Sequence, residues 1–206
     1  MLRRSIKSAW IVLISAALAT AACSATKKTD KVEYPGLTNF HQVVAGIYRG
    51  AAPTDEGLKT LKSMKIHTII DLRSYTQAKH EKETAERMGF EWLNLPMGKE
   101  APTQKQVDKL LKTLAKADKE PVFVHCQHGA DRTGCMIGIY RVKVQHWTFD
   151  DAWKEMRKYG FKWFLFDLKE AVRSRAGKTR ACMDQPILES CSLLTSYFSG
   201  RPSQYA

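Results

Sequence analysis

The segment Pro121-Val122-Phe123-Val124-His125-Cys126-Gln127-His128-Gly129-Ala130-Asp131-Arg132-Thr133-Gly134 constrains this chain more than any other. Its apolar start, Pro121 to Val124, reads as a short buried strand. Its continuation, Cys135-Met136-Ile137-Gly138-Ile139-Tyr140, reads as the first turns of a helix. A strand that stops in a glycine-bearing loop and runs directly into a helix N-terminus makes an anion cradle. Backbone N–H groups converge there, and the helix dipole adds partial positive charge.

The flanking sequence supplies a sheet for that strand. Ile47-Tyr48-Arg49 reads as a short strand. Pro53 to Gly57 is a turn feeding a helix to about Lys65, with Thr54 as N-cap. Ile66 to Leu72 is rich in β-branched residues and predicts a buried central strand. Gln77 to Met88 is a polar helix ending at Gly89, and Glu91 to Leu95 is a strand stopped by Pro96. Val107, Leu110, Leu111 and Leu114 fall at helical spacing within Thr103 to Ala117. Helices are expected over Arg132 to Gln145, Thr148 to Tyr159 and Lys162 to Arg173. Strands alternating with helices imply an α/β fold, a single domain with a mainly parallel central sheet flanked by helices. The site is expected beyond the carboxyl ends of the strands. No internal repeat is evident, and the segment 174–206 has no clear period.

A cysteine, five residues, an arginine and a hydroxyl residue resemble the active-site loop of the protein tyrosine and dual-specificity phosphatase superfamily. The resemblance extends to Asn39-Phe40, to Gly46-Ile47-Tyr48-Arg49-Gly50, to Pro53-Thr54 and to Leu58–Arg73. These stretches are similar to the small atypical dual-specificity branch, which includes inositol-phosphate-directed enzymes and phytases of the same fold. The resemblance covers about Asn39 to Val172. It implies a two-step hydrolysis through a phosphocysteine, with no cofactor and no metal. Cys126 would be the nucleophile, as a thiolate whose pKa is lowered by the helix N-terminus and nearby cations. Arg132 would grip two phosphate oxygens with its planar fork. Gln127, His128, Gly129 and Ala130 would line the anion, Gly129 allowing close approach of the backbone. Thr133 would ease departure of the sulfur in the second step, and His125 would support the loop from behind. The plainer alternative, a structural cysteine ending a core strand, leaves the joint spacing of Cys, Gly, Arg, Thr and Gly unexplained.

Ester cleavage also needs a proton donor for the leaving oxygen. The dual-specificity enzymes draw an aspartate from a loop upstream of the cysteine. The matching stretch here, Leu95-Pro96-Met97-Gly98-Lys99-Glu100-Ala101-Pro102, holds no aspartate, and Glu100 is its one carboxylate. The Asp-Arg-Thr sub-pattern resembles the myotubularin and Sac phosphoinositide phosphatases, in which the aspartate before the arginine serves as acid. Asp131 is therefore the first candidate and Glu100 the second. Asp131 could instead pair with a loop N–H or with Arg49 or Arg73, and a good leaving group needs no protein acid. Lys99 and Arg73 are expected to touch further phosphates, and a charged His128 would favour strongly anionic ligands.

The formal net charge of +12 over 206 residues favours anionic partners. With a phosphate loop, the expected partner is a phosphorylated small molecule, an inositol polyphosphate, and the alternative is a phosphoprotein. A non-catalytic phosphoanion binder would have no need of a thiolate. Nucleic acid is not expected, because no recognition module and no basic stripe interleaved with aromatics is present. Arg3, Arg4 and Lys7 precede an apolar run, Ala9 to Ala22, too short for a membrane span. Residues 1–23 read as an export signal and 24–38 as a polar linker, before a phosphatase domain over 39–173 and an appendage over 174–206. Cys23 is the expected lipidation site, which would attach the protein to a membrane as an exported, periplasmic lipoprotein. Thr20 departs from the usual aliphatic residue, and cleavage after Ala19-Thr20-Ala21 is the rival. The five cysteines, Cys23, Cys126, Cys135, Cys182 and Cys191, make no disulfide framework, although Cys182 and Cys191 could pair.

Overall fold

A computed structural model describes residues 34–177. The export signal, Cys23, most of the polar linker, the Cys182–Cys191 pair and the appendage beyond residue 177 lie outside the described residues. Within them the elements are β1 (His41–Val44), β2 (Ile47–Ala51), α1 (Asp55–Ser63), β3 (Thr68–Asp71), α2 (Tyr75–Arg87), β4 (Glu91–Asn94), α3 (Gln104–Leu114), β5 (Val122–Cys126), α4 (Asp131–Val144), α5 (Phe149–Lys158) and α6 (Phe166–Arg173).

The sheet runs in the order β1-β2-β5-β3-β4. β2, β5, β3 and β4 are parallel, as expected from their helical crossovers, and β1 is an antiparallel edge strand beside β2. β1 is an addition to the expected sheet. Its His-Gln-Val-Val sequence is half exposed and its ladder shifts register between Gln42 and Val44, so it carries no clear period-two signal. β5 lies at the centre, with Ala51 opposite Cys126 and Asp71 opposite His125. The strand ends that meet the loop are therefore all carboxyl ends.

Alternation along the strands divides the buried residues between two cores. Val122, Val124 and Cys126 join Ile70 and Leu72 in the core beneath α3 to α6. Phe123 and Ile69 join Leu58, Leu61, Ala85 and Phe90 in the smaller core beneath α1 and α2. Each fully buried aliphatic side chain of this kind contributes roughly 1.5–3 kcal/mol relative to exposure. His125 points to the same side as Phe123, with the two rings stacked 5.3 Å apart.

Helix ends follow local chemistry. Thr54, Thr103 and Thr148 cap α1, α3 and α5, and Thr103 forms a full capping box with Gln106. α4 has Ala130 at that position and no side-chain cap. Its first N–H groups are therefore not taken up by a capping side chain. α6 begins at Phe166 rather than Lys162, because the Lys162 N–H is held by Asp131 and 162–165 form a turn.

Candidate active site

β5 delivers Cys126 to the sheet edge, 2% exposed, and α4 begins five residues later. Burial alone would push the Cys126 thiol up. The Thr133 hydroxyl and N–H, the Arg132 charge and the His128 N–H outweigh burial, and the thiol stands below its ordinary value. Thr133 itself is fully buried, and its Oγ1 has no in-line hydrogen-bond partner among the described groups. Its contribution is made at the Cys126 sulfur, where the hydroxyl favours the thiolate.

The loop backbone is held from outside. Gln127 O accepts from the Ala52 N–H at 3.4 Å, His128 O from Asn39 Nδ2 at 3.1 Å, and Gly129 O from Arg49 Nη2 at 2.7 Å. In a trans peptide the N–H points opposite to the preceding carbonyl. Three carbonyls turned outward thus turn the N–H groups of His128, Gly129 and Ala130 inward. The His128 N–H acting on Cys126 fits this arrangement. Gly129 is required where it stands: its φ is +68°, and an added Cβ would lie 2.3 Å from the Gly50 carbonyl carbon.

Arg132 reaches across the sheet end. Its Nη1 lies 3.4 Å from both Leu72 O and Met97 O. This draws the Leu95–Pro102 loop to the cradle, and that loop is itself fixed by Leu95 N–H to Asp71 O and Met97 N–H to Leu72 O. Lys99 and Glu100 are exposed on it, with Glu100 Oε2 folded over Gly98. Asp131 is also at the rim, but its Oδ1 accepts the Lys162 N–H at 2.8 Å and so clasps the loop after α5. Gln127 and His128 are exposed, whereas Gly129 and Ala130 are buried and offer backbone only.

The expectation for Arg73 is corrected. It is 6% exposed and turned away from the cradle, bonded to Asp71 through Nε at 3.0 Å and Nη2 at 2.7 Å and to Glu81 through Nη2 at 2.5 Å. Buried carboxylates claim a guanidinium that would otherwise be orphaned. The fourth member of the cluster is His125, whose Nε2 lies 2.9 Å from Glu81 Oε1, close but off-line for a hydrogen bond. Burial alone would lower His125, but Glu81 and Asp71 outweigh it and the pKa is raised. Two carboxylates, one guanidinium and one imidazole thus share the cluster. Asp71, Glu81 and His125 bring ligand atoms within 4.8 Å of one another, but Arg73 already supplies the cation.

Asn39, Arg49, Asp71 and Glu81 were not singled out as site residues from the sequence. Arg49 and Asp71 carried a signal, each being a charge inside an apolar strand run. Glu81, within an evenly charged helix, carried none.

A family model described as a DSP-PTPase phosphatase fused to NAD+ kinase matches residues 29–182. The inositol diphosphatase DSP3 of Arabidopsis thaliana is 31% identical over 137 residues, 64% of this chain and 67% of that protein. The dual specificity protein phosphatase TpbA of Pseudomonas aeruginosa is 28% identical over 124 residues, 60% of this chain and 55% of that protein. The chain thus spans between about half and two thirds of the length of these relatives. The crystal structure of TpbA superposes with a TM-score of 0.58 at 25% identity, covering 70% of this chain and 88% of that one. The core catalytic domain of the PP-IP phosphatase SIW14 from Saccharomyces cerevisiae, in complex with citrate, has the same fold, with a TM-score of 0.61 at 23% identity over 74% of this chain and 93% of that one.

Proposed function

On the premise that the chain belongs to the DSP-PTPase phosphatase family and is a cysteine-dependent phosphomonoesterase, we propose that its substrate is a myo-inositol polyphosphate. The observation that carries the substrate class is the composition of the rim. Arg132 tethers the loop that exposes Lys99, and His128 is exposed on the phosphate loop itself, so an ammonium and an imidazole flank the cradle on two sides. The net charge of +12 and the naming of DSP3 as an inositol diphosphatase support the same reading.

In the first step the Cys126 sulfur attacks phosphorus in line with the leaving oxygen. The S–P bond forms, the P–O bond breaks, and a carboxylic acid gives its proton to the leaving oxygen. Arg132 and the N–H groups of His128, Gly129 and Ala130 hold the equatorial oxygens as charge spreads over them. In the second step water attacks phosphorus, its proton passes to the same carboxylate, and the thiolate departs beside the Thr133 hydroxyl. We assign the acid to Glu100 ahead of Asp131, because Asp131 is engaged in clasping Lys162. Glu100→Gln should then slow inositol phosphate turnover far more than turnover of an activated aryl phosphate, with Asp131→Asn milder. The reverse ranking returns the role to Asp131.

A second reading, a phosphotyrosine phosphatase, is favoured by one observation. Trp163 and Phe164, 62% and 51% exposed, follow the Lys162 that Asp131 holds, so aromatic surface stands beside the cradle. Phosphate release from inositol hexakisphosphate and from a phosphotyrosine peptide, side by side with Cys126→Ser as control, separates the two. Faster Cys126-dependent release from the inositol substrate upholds the first reading, and preference for the peptide replaces it. The export reading of residues 1–23 stays part of the proposal, with Cys23 as lipid acceptor. Fatty-acid labelling in a bacterial host that is lost in Cys23→Ala would support it, and an unlabelled wild-type protein would remove it.

A further inference from the structure

Arg49 is the largest fully buried side chain among the described residues, at 1%, and no step above uses it. It stands in β2 opposite Val124 of β5, on the face that packs against α4 and α5. Nη2 donates to Gly129 O at 2.7 Å. The guanidinium lies over the Tyr159 ring, 4.5 Å from its centre. Nε and Nη1 are buried with no hydrogen-bond partner among the described groups.

What Arg49 lacks is a carboxylate. Glu155 attracts it from a distance, but both Glu155 oxygens hold Arg141 at 2.7 Å. Burying a cation without a paired anion is costly, and a fold retains such a group only where something repays it. Burial pushes the Arg49 pKa down to about 10, which leaves it charged at neutral pH, and Cys126 is among the groups that hold it up. Of the two anions this cation could serve, one is the Cys126 thiolate and the other is the ligand in the cradle.

We propose that Arg49 is a positioning residue of the phosphate loop: it fixes the Gly129 carbonyl outward, so that the Ala130 N–H faces the anion, and it supplies buried positive charge beneath the loop. The loop it braces from behind, at Gly129 O, is the one that carries the N–H groups of His128, Gly129 and Ala130. Asn39 performs the first of these tasks one residue earlier, at His128 O, but as a neutral amide it adds no charge. The inference rests on the phosphatase reading of the cradle.

The test uses the full chain with Arg49→Lys and Arg49→Met. Iodoacetamide alkylation is followed at the Cys126 peptide by mass spectrometry as a function of pH, alongside the inhibition constant for orthovanadate and the melting temperature. Thr133, Arg132 and the His128 N–H face Cys126 from its own loop and helix, and Glu155, Tyr159 and Arg141 face Arg49; both variants leave these residues in place. Arg49→Met should lower the alkylation rate at pH 6 about tenfold while leaving the alkaline plateau unchanged, and weaken vanadate about tenfold or more. Arg49→Lys keeps the charge and loses the fork at Gly129 O. It should keep the alkylation profile and weaken vanadate about threefold or more. A folded Arg49→Met with wild-type profile and vanadate affinity overturns the proposal. If Arg49→Met does not fold, Arg49→Lys with wild-type vanadate affinity overturns it. A wild-type Cys126 that titrates as an ordinary thiol defeats the phosphatase reading instead, which keeps the two failures apart.

Discussion

The two faces of the sheet treat buried charge in opposite ways at the same strand ends. On the α1–α2 face, Asp71, Arg73, Glu81 and His125 form a quartet in which a guanidinium and an imidazole meet two carboxylates. On the α4–α5 face, Arg49 is buried at the same level with no carboxylate bound to it. Period-two alternation produces the split: His125 and Asp71 point one way, Cys126 and Arg49 the other. A compensated cluster holds elements together and is indifferent to ligand. An uncompensated charge is expensive to the fold and is directed at an anion that comes and goes.

Substitutions on the two faces should therefore fail in different measurements. The largest effect belongs to Cys126→Ser, which should reduce turnover at least ~1000-fold on every phosphate ester tried. A smaller loss would mean that the cradle hydrolyses by another nucleophile. Next, Glu81→Gln removes one carboxylate from the quartet and leaves Asp71 alone beside Arg73 and His125. Urea denaturation should show a loss of about 3–5 kcal/mol. A loss below about 1 kcal/mol would break the claim that this face is architecture.

The His125 contribution has a pH signature. Its folded pKa is raised above the unfolded value of 6.5 by Glu81 and Asp71 against burial. The stability it contributes is fully present below pH 6.5 and is lost as pH rises through the folded value. The difference in unfolding free energy between wild type and His125→Gln should thus be greatest in mild acid and shrink toward alkaline pH. A difference that grows with pH would show a neutral imidazole in the fold. The smallest effect is expected at Cys135, fully buried in α4, where burial pushes the thiol up to about 12. Alkylation near pH 7 should mark Cys126 and spare Cys135. Cys135→Ala should leave turnover unchanged and cost about 1 kcal/mol of stability.

Those parts of the site that lie close together in the chain were legible in it. The strand into Cys126, the turn at Gly129 and the uncapped helix after Ala130 follow from residues within reach of one another, and the structure builds them as expected. The parallel sheet was legible from alternating periodicities. Two charged residues were read less well. Arg73 lies two residues beyond the end of β3 and turns to Asp71 and Glu81 instead of the cradle. The Glu81 carboxylate that turns it inward lies a full turn along another element. Asp131 was read as an acid facing the cradle, but the Lys162 N–H that engages it comes from 31 residues further on.

The amino-acid sequence alone therefore determined the loop from Cys126 to Arg132 and its place between strand and helix, because an anion cradle is a contiguous backbone feature whose spacing the chain states outright. Only the tertiary structure decided which way that backbone faces. The Asn39 and Arg49 donors that turn the loop carbonyls outward come from 89 and 80 residues upstream. Glu81 comes from a helix with no pattern to mark it. Hydrogen bonds and charge compensation of this kind depend on distances through space, and burial gives them weight only once the sheet has closed over them.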